Sequence, residues 1–262
     1  MHPLIVLLTD FGYVDPYVGQ MKGALLRTAP HFPIVDLCHE VQPHNIDQAS
    51  FLLRSSREHF PTGSIFVCVV DPGVGSGRAL ILARQDGRYF LAPDNGLLSF
   101  LLDEDTSWWR IETGPETVGP TFHGRDILAP AAVRLARGEG PDVLGPALDP
   151  LKIMRRRPTQ PLLDADTIEC TVLHVDRFGN CLLNLPVSQF ELSDRIWDLG
   201  QGQRAIEVRT YADLAPGQIG LLAGSQGVME LALDQASCAL RLNLAPGQRI
   251  RLLRTRAGSA PC

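Results

Sequence analysis

Residues 65–78 read IFVCVVDPGVGSGR, and no other stretch limits the fold as strongly. Residues 65–70 are an unbroken apolar run rich in β-branched side chains, which predicts a strand buried on both faces. The run stops at Asp71-Pro72-Gly73. A carboxylate there sits where a parallel strand ends, the usual place for a ligand crevice in an open α/β sheet. Gly73, Gly75 and Gly77 let the backbone turn tightly and approach a ligand, and Arg78 then returns a fixed positive charge. An isolated Asp-Pro-Gly is most often a plain strand corner. Three further stretches of the same form, an apolar run followed by a polar site, shift the balance toward a shared site.

The first is residues 4–8, a strand closed by Thr9-Asp10-Phe11-Gly12. A helix over 21–29, stopped by Pro30, leads to a strand over 34–38 that ends at His39-Glu40. Apolar residues at helical spacing follow over 45–60. Residues 79–83 and 89–92 flank Asp86-Gly87, a strong hairpin signal. Asp94-Asn95-Gly96 then opens a short helix through 102, and 125–137 reads as a helix stopped by Gly138. Alternating strands and helices predict an αβα-layered domain with a mostly parallel sheet.

The character changes near residue 150, where Pro150, Pro158 and Pro161 bracket Arg155-Arg156-Arg157. We place an N-terminal domain at 1–155, a linker at 156–165 and a second domain at 166–262. The second part predicts short strands at 168–175, 181–185, 206–208, 219–222, 228–233, 239–242 and 249–253. The piece Leu-Ala-Pro-Gly-Gln occurs at 214–218 and again at 244–248, each time before a strand, and marks a repeated corner. Even spacing of short strands predicts a small β-barrel.

Composition narrows the function classes. A net charge of −5 gives no basic field for nucleic acid, and the arginine cluster reads as a solvated linker. No apolar run approaches the roughly 20 residues of a membrane span. The start MHPLIVLLTDFG lacks a basic leader region, so a cytoplasmic protein is expected. The six cysteines form no C-x-x-C pair, and several lie within apolar runs, as reduced core residues do.

The polar sites are Asp10, Asp71, Asp94-Asn95, the run Thr121-Phe122-His123-Gly124-Arg125-Asp126, Asp176-Arg177-Phe178-Gly179-Asn180 and Gly224-Ser225-Gln226-Gly227. Several of these gather on one sheet edge, the geometry of a cleft. Asp94-Asn95-Gly96 also reads as a simple helix cap. Carboxylate and imidazole suit several metals, so Asp10, Asp71 and His123 are candidate ligands. Against that, no H-x-x-x-H or D-x-H spacing occurs, and Arg78 and Arg125 would crowd a cation.

LTDFG with Asp15-Pro16-Tyr17-Val18-Gly19, VVDPGVGSGR, APDNGLL, TFHGRDILAPAA and DRFGN together resemble the S-adenosylmethionine (SAM) hydrolases, or SAM hydroxide adenosyltransferases. These are the water-using relatives of fluorinase and chlorinase. The resemblance runs from about residue 4 to 233. It implies an N-terminal α/β domain, a smaller C-terminal β-barrel, and trimers whose site lies between one subunit's N-terminal domain and its neighbour's C-terminal domain. The family's Asp-Arg-His trio falls on Asp71, Arg78 and His123, and its ribose-binding aspartate on Asp10. Contacts to adenine and methionine fall on Asp176, Asn180, Ser225 and Glu230. Phe11, Asp94, Asn95 and Phe178, carried in the same motifs, complete the implied substrate set. Halide enzymes carry tyrosine at the Asp71 position and a tyrosine-serine pair at His123-Gly124, and this chain departs from them there.

The implied reaction is hydrolysis of SAM to adenosine and L-methionine, with no metal or other cofactor. Neutral methionine leaves readily from a sulfonium, so the difficulty lies with the nucleophile. Water must be held and deprotonated, and a carboxylate and an imidazole can accept or relay that proton. Arg78 favours hydroxide with a charge that does not titrate away. The sequence leaves open whether Asp71 or His123 takes the proton. A halogenating enzyme of the same frame, a non-catalytic SAM or nucleoside binder, and a metal hydrolase are the competing readings.

Overall fold

The computed structural model describes residues 3–112, 119–193 and 195–255. The chain divides into two compact units, Met1–Arg157 and Pro158–Cys262.

The first unit is built on a six-stranded sheet of β1 (Ile5–Thr9), β2 (Ile34–Cys38), β3 (Ile65–Val69), β4 (Leu80–Gln85), β5 (Arg88–Pro93) and β6 (Ser107–Ile111). Its order is β2-β1-β3-β5-β4-β6. The first four in that order pair in parallel, and β4 runs antiparallel between β5 and β6. Alternation along each strand sends residues to two cores. Ile5, Leu7, Ile65, Val67 and Val69 face α1 (Tyr17–Thr28) and α3 (Ala129–Ala136) through Met21, Leu25 and Leu135. Val6, Leu8, Phe66 and Cys68 face α2 (Ile46–Ser56) through Ile46, Ala49 and Leu53. Apolar strands with helices on both faces make the three-layer α/β arrangement expected from the sequence. Asp86 and Gly87, at φ 49° and 69°, form the tight turn of the expected β4–β5 hairpin.

The second unit contains β7 (Leu162–Leu163), β8 (Thr167–Val175), β9 (Cys181–Pro186), β10 (Ile196–Gly200), β11 (Gln203–Glu207), β12 (Ile219–Ala223), β13 (Val228–Leu233) and β14 (Arg249–Arg254). The order β14-β10-β11-β12-β13-β9-β8 closes through pairing of β14 with β8, giving a seven-stranded barrel to which β7 adds at β8. Closure removes the open edges that a small sheet would expose. Both Leu-Ala-Pro-Gly-Gln corners are built alike. The Gln218 and Gln248 side chains accept from the Ala215 and Ala245 amides at 3.0 and 2.8 Å.

Four expectations change. Residues 239–242 form no strand; they lie in a short helix, α4 (Cys238–Leu242), capped by Ser237 and ended by Asn243 at φ 51°. A helix through 102 shrinks to one 3₁₀ turn, Ser99–Leu101. The helix expected over 125–137 opens with a wide π turn, Gly124–Leu128, before α3. That turn precedes Pro130, whose ring would strike the Asp126 carbonyl in a regular α-helix. Strands β6 and β10 were not expected at all. Among the described residues no helix is long and apolar enough to cross a membrane. Of the six cysteines, Cys262 lies outside the described residues; Cys68, Cys170, Cys181 and Cys238 are free and buried, and Cys38 is free and half-buried.

Candidate active site

Asp71 lies just past the end of β3, and Arg78 on the loop that leads into β4. His123 precedes the π turn, and its neighbour Gly124 packs against β3. A Cβ there would lie 3.1 Å from Val69 Cγ2 and 3.4 Å from the Met21 sulfur, so a larger residue would push His123 away from the strand end. Two segments distant in the chain, the loop after β3 and the start of the π turn, are thereby brought into one cluster. Arg78 Nε donates to Asp71 Oδ1 at 2.7 Å, and its Nη2 donates to Asp71 Oδ2, a bidentate pair. The same Nη2 lies 3.2 Å from His123 Nδ1. The Arg78 and Asp71 side chains are only 10% and 7% exposed. The Gly73 amide donates to Asp71 Oδ1 at 3.2 Å.

Two consequences follow from this geometry. A guanidinium can only donate, so His123 Nδ1 is the acceptor, and the neutral ring carries its proton on Nε2. Burial first, and then the charge of Arg78, lower the pKa of His123, which favours that neutral ring. Secondly, Arg78 Nη1 is buried without a hydrogen-bond partner among the described residues. A buried donor of this kind is costly unless something polar fills its place. Beside Arg78 and His123 opens a cavity of about 760 Å³, also lined by Ser76, Leu80, Arg110 and Ile127.

Asp10 comes off β1, the strand beside β3, with Thr9 opposite Val69 in register. It therefore shares the sheet edge with Asp71. One of its oxygens accepts the His44 amide at 2.8 Å. Phe11 packs edge-on with Tyr17 and Phe122, at centroid separations of 5.7 and 5.5 Å, linking the neighbour of Asp10 to the neighbour of His123. Asn95 has a structural role in the same edge. Its Nδ2 donates to the Val70 carbonyl at 2.8 Å, and its Oδ1 accepts the Leu97 amide. Asp94 accepts the Met154 amide at 2.9 Å, and burial raises its pKa.

In the barrel unit Asp176 organises its own loop. Oδ1 accepts the Phe178 and Asn180 amides at 2.9 and 2.8 Å, and Oδ2 accepts from Asn180 Nδ2 at 3.0 Å. Gly179 sits at φ +86°, where a Cβ would also strike Ser237, so glycine is required twice over. Asn180 is buried, whereas Phe178 is 79% exposed at the tip. Ser225 lies in the turn joining β12 to β13. Glu230 on β13 is buried and accepts from the Tyr211 hydroxyl. Burial raises the pKa of Glu230 against that hydrogen bond, and the nearby Asp176 charge raises it further. Tyr211 escaped the sequence reading. Its only signal was the capping box of Thr210 and Asp213, which places it at the start of a 3₁₀ turn.

Asp10, Asp71 and His123 do not assemble as metal ligands. Arg78 holds both oxygens of Asp71, and among the described residues no group of three or more His, Cys, Asp or Glu side chains is spaced to hold an ion.

A layered α/β unit with an Asp–Arg–His trio beside the end of a parallel strand, followed by a closed barrel, is the frame against which relatives are compared. The family is settled by comparison. The model of the SAM hydroxide adenosyltransferase N-terminal domain matches residues 5–145, and that of its C-terminal domain matches 170–251. The chain belongs to the SAM hydroxide adenosyltransferase family. It is 36% identical to the (R)-S-adenosyl-L-methionine hydrolase of Thermus thermophilus, over 95% of this chain and 99% of that one. A protein of the same name from Methanocaldococcus jannaschii is 31% identical over 92% of each chain. A fluorinase of Nocardia brasiliensis is more distant, at 27% over 95% of this chain and 96% of its own. Among solved structures, an uncharacterized conserved protein from Thermotoga maritima superposes with a TM-score of 0.86 at 30% identity, covering 95% of this chain and all of that one.

Proposed function

We propose that this enzyme hydrolyses SAM to adenosine and L-methionine by attack of a water oxygen on C5′. The C5′–O bond forms as the C5′–S bond breaks, its electron pair stays with sulfur as methionine leaves, and one proton is released. The observation that carries this reading is the Arg78–Asp71 pair with Nη1 left over. A buried guanidinium N–H with no acceptor among the described residues is a fitting donor for a water or hydroxide oxygen, and its fixed charge favours the deprotonated form. His123 offers a second donor from Nε2, because its Nδ1 is taken by Arg78. Within the trio the proton acceptor is then Asp71. Joining an anionic oxygen to a cationic sulfonium destroys charge, which a water-poor site favours.

The sulfonium is already an activated leaving group, so the reading needs no metal or redox cofactor, and activity should survive EDTA. Asp10 is assigned to the ribose diol, with Phe11, Asp94 and Asn95 shaping the same edge. Asp176, Phe178, Asn180, Ser225 and Glu230 are assigned to adenine and methionine. In this reading the enzyme is a cytoplasmic trimer in which each barrel unit serves a neighbouring subunit's trio. An active monomer in light scattering at assay concentration would contradict the shared site. The reaction itself is tested in ¹⁸O-water, where adenosine should carry label on its 5′ oxygen. Formation of 5′-chloro-5′-deoxyadenosine as the main product in high chloride would overturn hydrolysis in favour of halogenation.

A further inference from the structure

A buried polar chain outside the trio ends on the turn that carries Asp10. His39, at the end of β2, is 1% exposed, and Thr9, at the end of β1, is fully buried. Thr9 Oγ1 lies 2.7 Å from His39 Nδ1. On its other side, His39 Nε2 lies 3.1 Å from Asp36 Oδ1, an electrostatic contact outside good hydrogen-bond alignment. Asp36 also accepts from Lys22 Nζ at 2.6 Å and from the Tyr13 hydroxyl at 3.3 Å. The Tyr13 ring stands edge-on to the imidazole at 5.2 Å.

The direction of these contacts can be assigned. With the neutral ring carrying its proton on Nε2, toward the Asp36 carboxylate, Nδ1 is the acceptor. In that tautomer Thr9 donates its hydroxyl proton to Nδ1. Its oxygen is then turned to receive the Phe11 amide, which it does at 3.3 Å. That contact spans Asp10, a side-chain turn in which residue i holds the amide of residue i+2. His39 also fixes the far side of the same turn, because its carbonyl accepts the Gly12 amide at 2.7 Å. Asp10 is thus bracketed by two bonds that both lead back to His39, while the His44 amide holds its carboxylate at 2.8 Å.

We propose that His39 is a positioning residue for ribose recognition, acting through the Thr9 hydroxyl to set the backbone from which Asp10 reaches the diol. It rests on the assignment of Asp10 to the ribose. The side-chain contacts of His39 run to Thr9, Asp36 and Tyr13 rather than to the trio, so its loss should act on binding and leave the bond-making step in place. The imidazole suits the task because it must accept on one side and donate on the other while filling an apolar space. An amide or hydroxyl of similar reach fills that space less well.

The test is calorimetry of adenosine and 2′,3′-dideoxyadenosine with wild type, His39→Leu, His39→Asn and Thr9→Val, alongside SAM turnover. Wild type should prefer adenosine. His39→Leu should lose about tenfold in adenosine affinity, the effect of about 1.4 kcal/mol, with dideoxyadenosine affinity unchanged. KM for SAM should rise with kcat largely retained. Asparagine at 39 keeps an acceptor near the Nδ1 position, so His39→Asn should recover most of the preference. Thr9→Val, close in shape to the native residue, should repeat the loss and covers the case in which His39→Leu fails to fold. Equal weakening of both ligands would reduce His39 to a merely structural role and overturn the proposal, as would a full preference for adenosine in His39→Leu. A wild type that hydrolyses SAM yet shows no preference would remove Asp10 from the diol, and the proposal with it. A wild type inert toward SAM that keeps the preference would strike the proposed reaction alone.

Discussion

The two units build their polar sites on opposite plans. In the α/β unit, Asp71 and Arg78 on one loop meet His123 from a second segment through side chains, the histidine lying 45 positions beyond the arginine it touches. In the barrel unit, Asp176 bonds residues two, three and four positions ahead and closes a loop on itself. The first arrangement leaves a buried donor, Arg78 Nη1, without a partner among the described residues. The second leaves an exposed aromatic ring, Phe178, at the end of a fixed turn. An unmatched buried donor favours a species that forms during reaction, whereas a pre-shaped loop with an exposed ring favours a ligand already formed. Chemistry and recognition should therefore separate by unit.

The largest expected effects test that division directly. Asp71→Asn should cost about 10²–10⁴-fold in kcat, the usual worth of a positioned proton-transfer group, and His123→Ala should lower kcat through loss of the Nε2 donor, each with SAM affinity nearly kept. Arg78→Lys should also fail, because the three donors of an ammonium cannot reproduce the planar fork on Asp71, the contact to His123 and a spare donor at once. Asp176→Ala should do the reverse, raising KM far more than it lowers kcat. Single-turnover rates beside calorimetric SAM affinity read both quantities. An Asp176→Ala enzyme crippled in kcat but normal in affinity would erase the distinction.

Stability should divide along the same line. The α/β unit is held by two apolar cores, but the barrel also contains an ionic centre at Glu207, which is 6% exposed. Its carboxylate accepts from Arg195 Nε and Trp197 Nε1, both at 2.8 Å, and from the Ser193 amide. Glu207→Ala strands these donors and should cost about 3 kcal/mol, the low end for a broken buried pair because Arg195 is partly exposed. Denaturant unfolding followed through Trp197 should report the loss. A midpoint unchanged from wild type would mean that the centre adds nothing to barrel stability.

How far such features are legible in the sequence depends on whether they are local. Strand β3 and its terminal Asp71 show in an apolar run broken by Asp-Pro-Gly, and the β4–β5 turn shows in Asp86-Gly87. Residues 239–242 mislead because four residues carry no period, and only the Ser237 cap shows a helix. Strands β6 and β10 are five residues each with polar interruptions, so tertiary pairing rather than pattern creates them. The π turn before Pro130 is likewise invisible to periodicity. Arg78 and Asp71 are readable as a charged pair of residues, but nothing in the string says that Nη1 is left over. His39 shows only as the end of a strand, since its value lies in Thr9 and Asp36, 30 residues before it and three before it.

A middle-sized effect belongs to Asp10, which stands between the two plans. It lies on the chemical sheet edge but is assigned to recognition. Asp10→Ala should weaken adenosine and SAM together, by about 1.5–3 kcal/mol for one lost charged hydrogen bond. Unchanged adenosine affinity in a folded variant, measured by calorimetry, would leave recognition to the barrel unit alone.

The smallest effect is the titration of His123, and it asks whether the trio is as poised as its geometry suggests. Burial and then Arg78 lower its pKa from the ordinary 6.5, while Asp126 opposes them. A group held neutral in the folded state stabilises least in acid. Above about pH 6.5 both folded and unfolded chains carry a neutral ring, and no difference arises. As pH falls below that value the unfolded chain takes the proton first, so the His123 contribution shifts against folding until the native ring also protonates. The ring is partly open to solvent, so the change in stability should be slight, and NMR titration of the imidazole is the sharper measurement. Because burial outweighs Arg78 among the causes, Arg78→Met should move the His123 midpoint only part of the way back to 6.5. A midpoint at or above 6.5 in the wild type would mean a charged imidazole in the trio near neutral pH. Nδ1 would then be unable to accept from Arg78, and the division of roles between Asp71 and His123 would have to be redrawn.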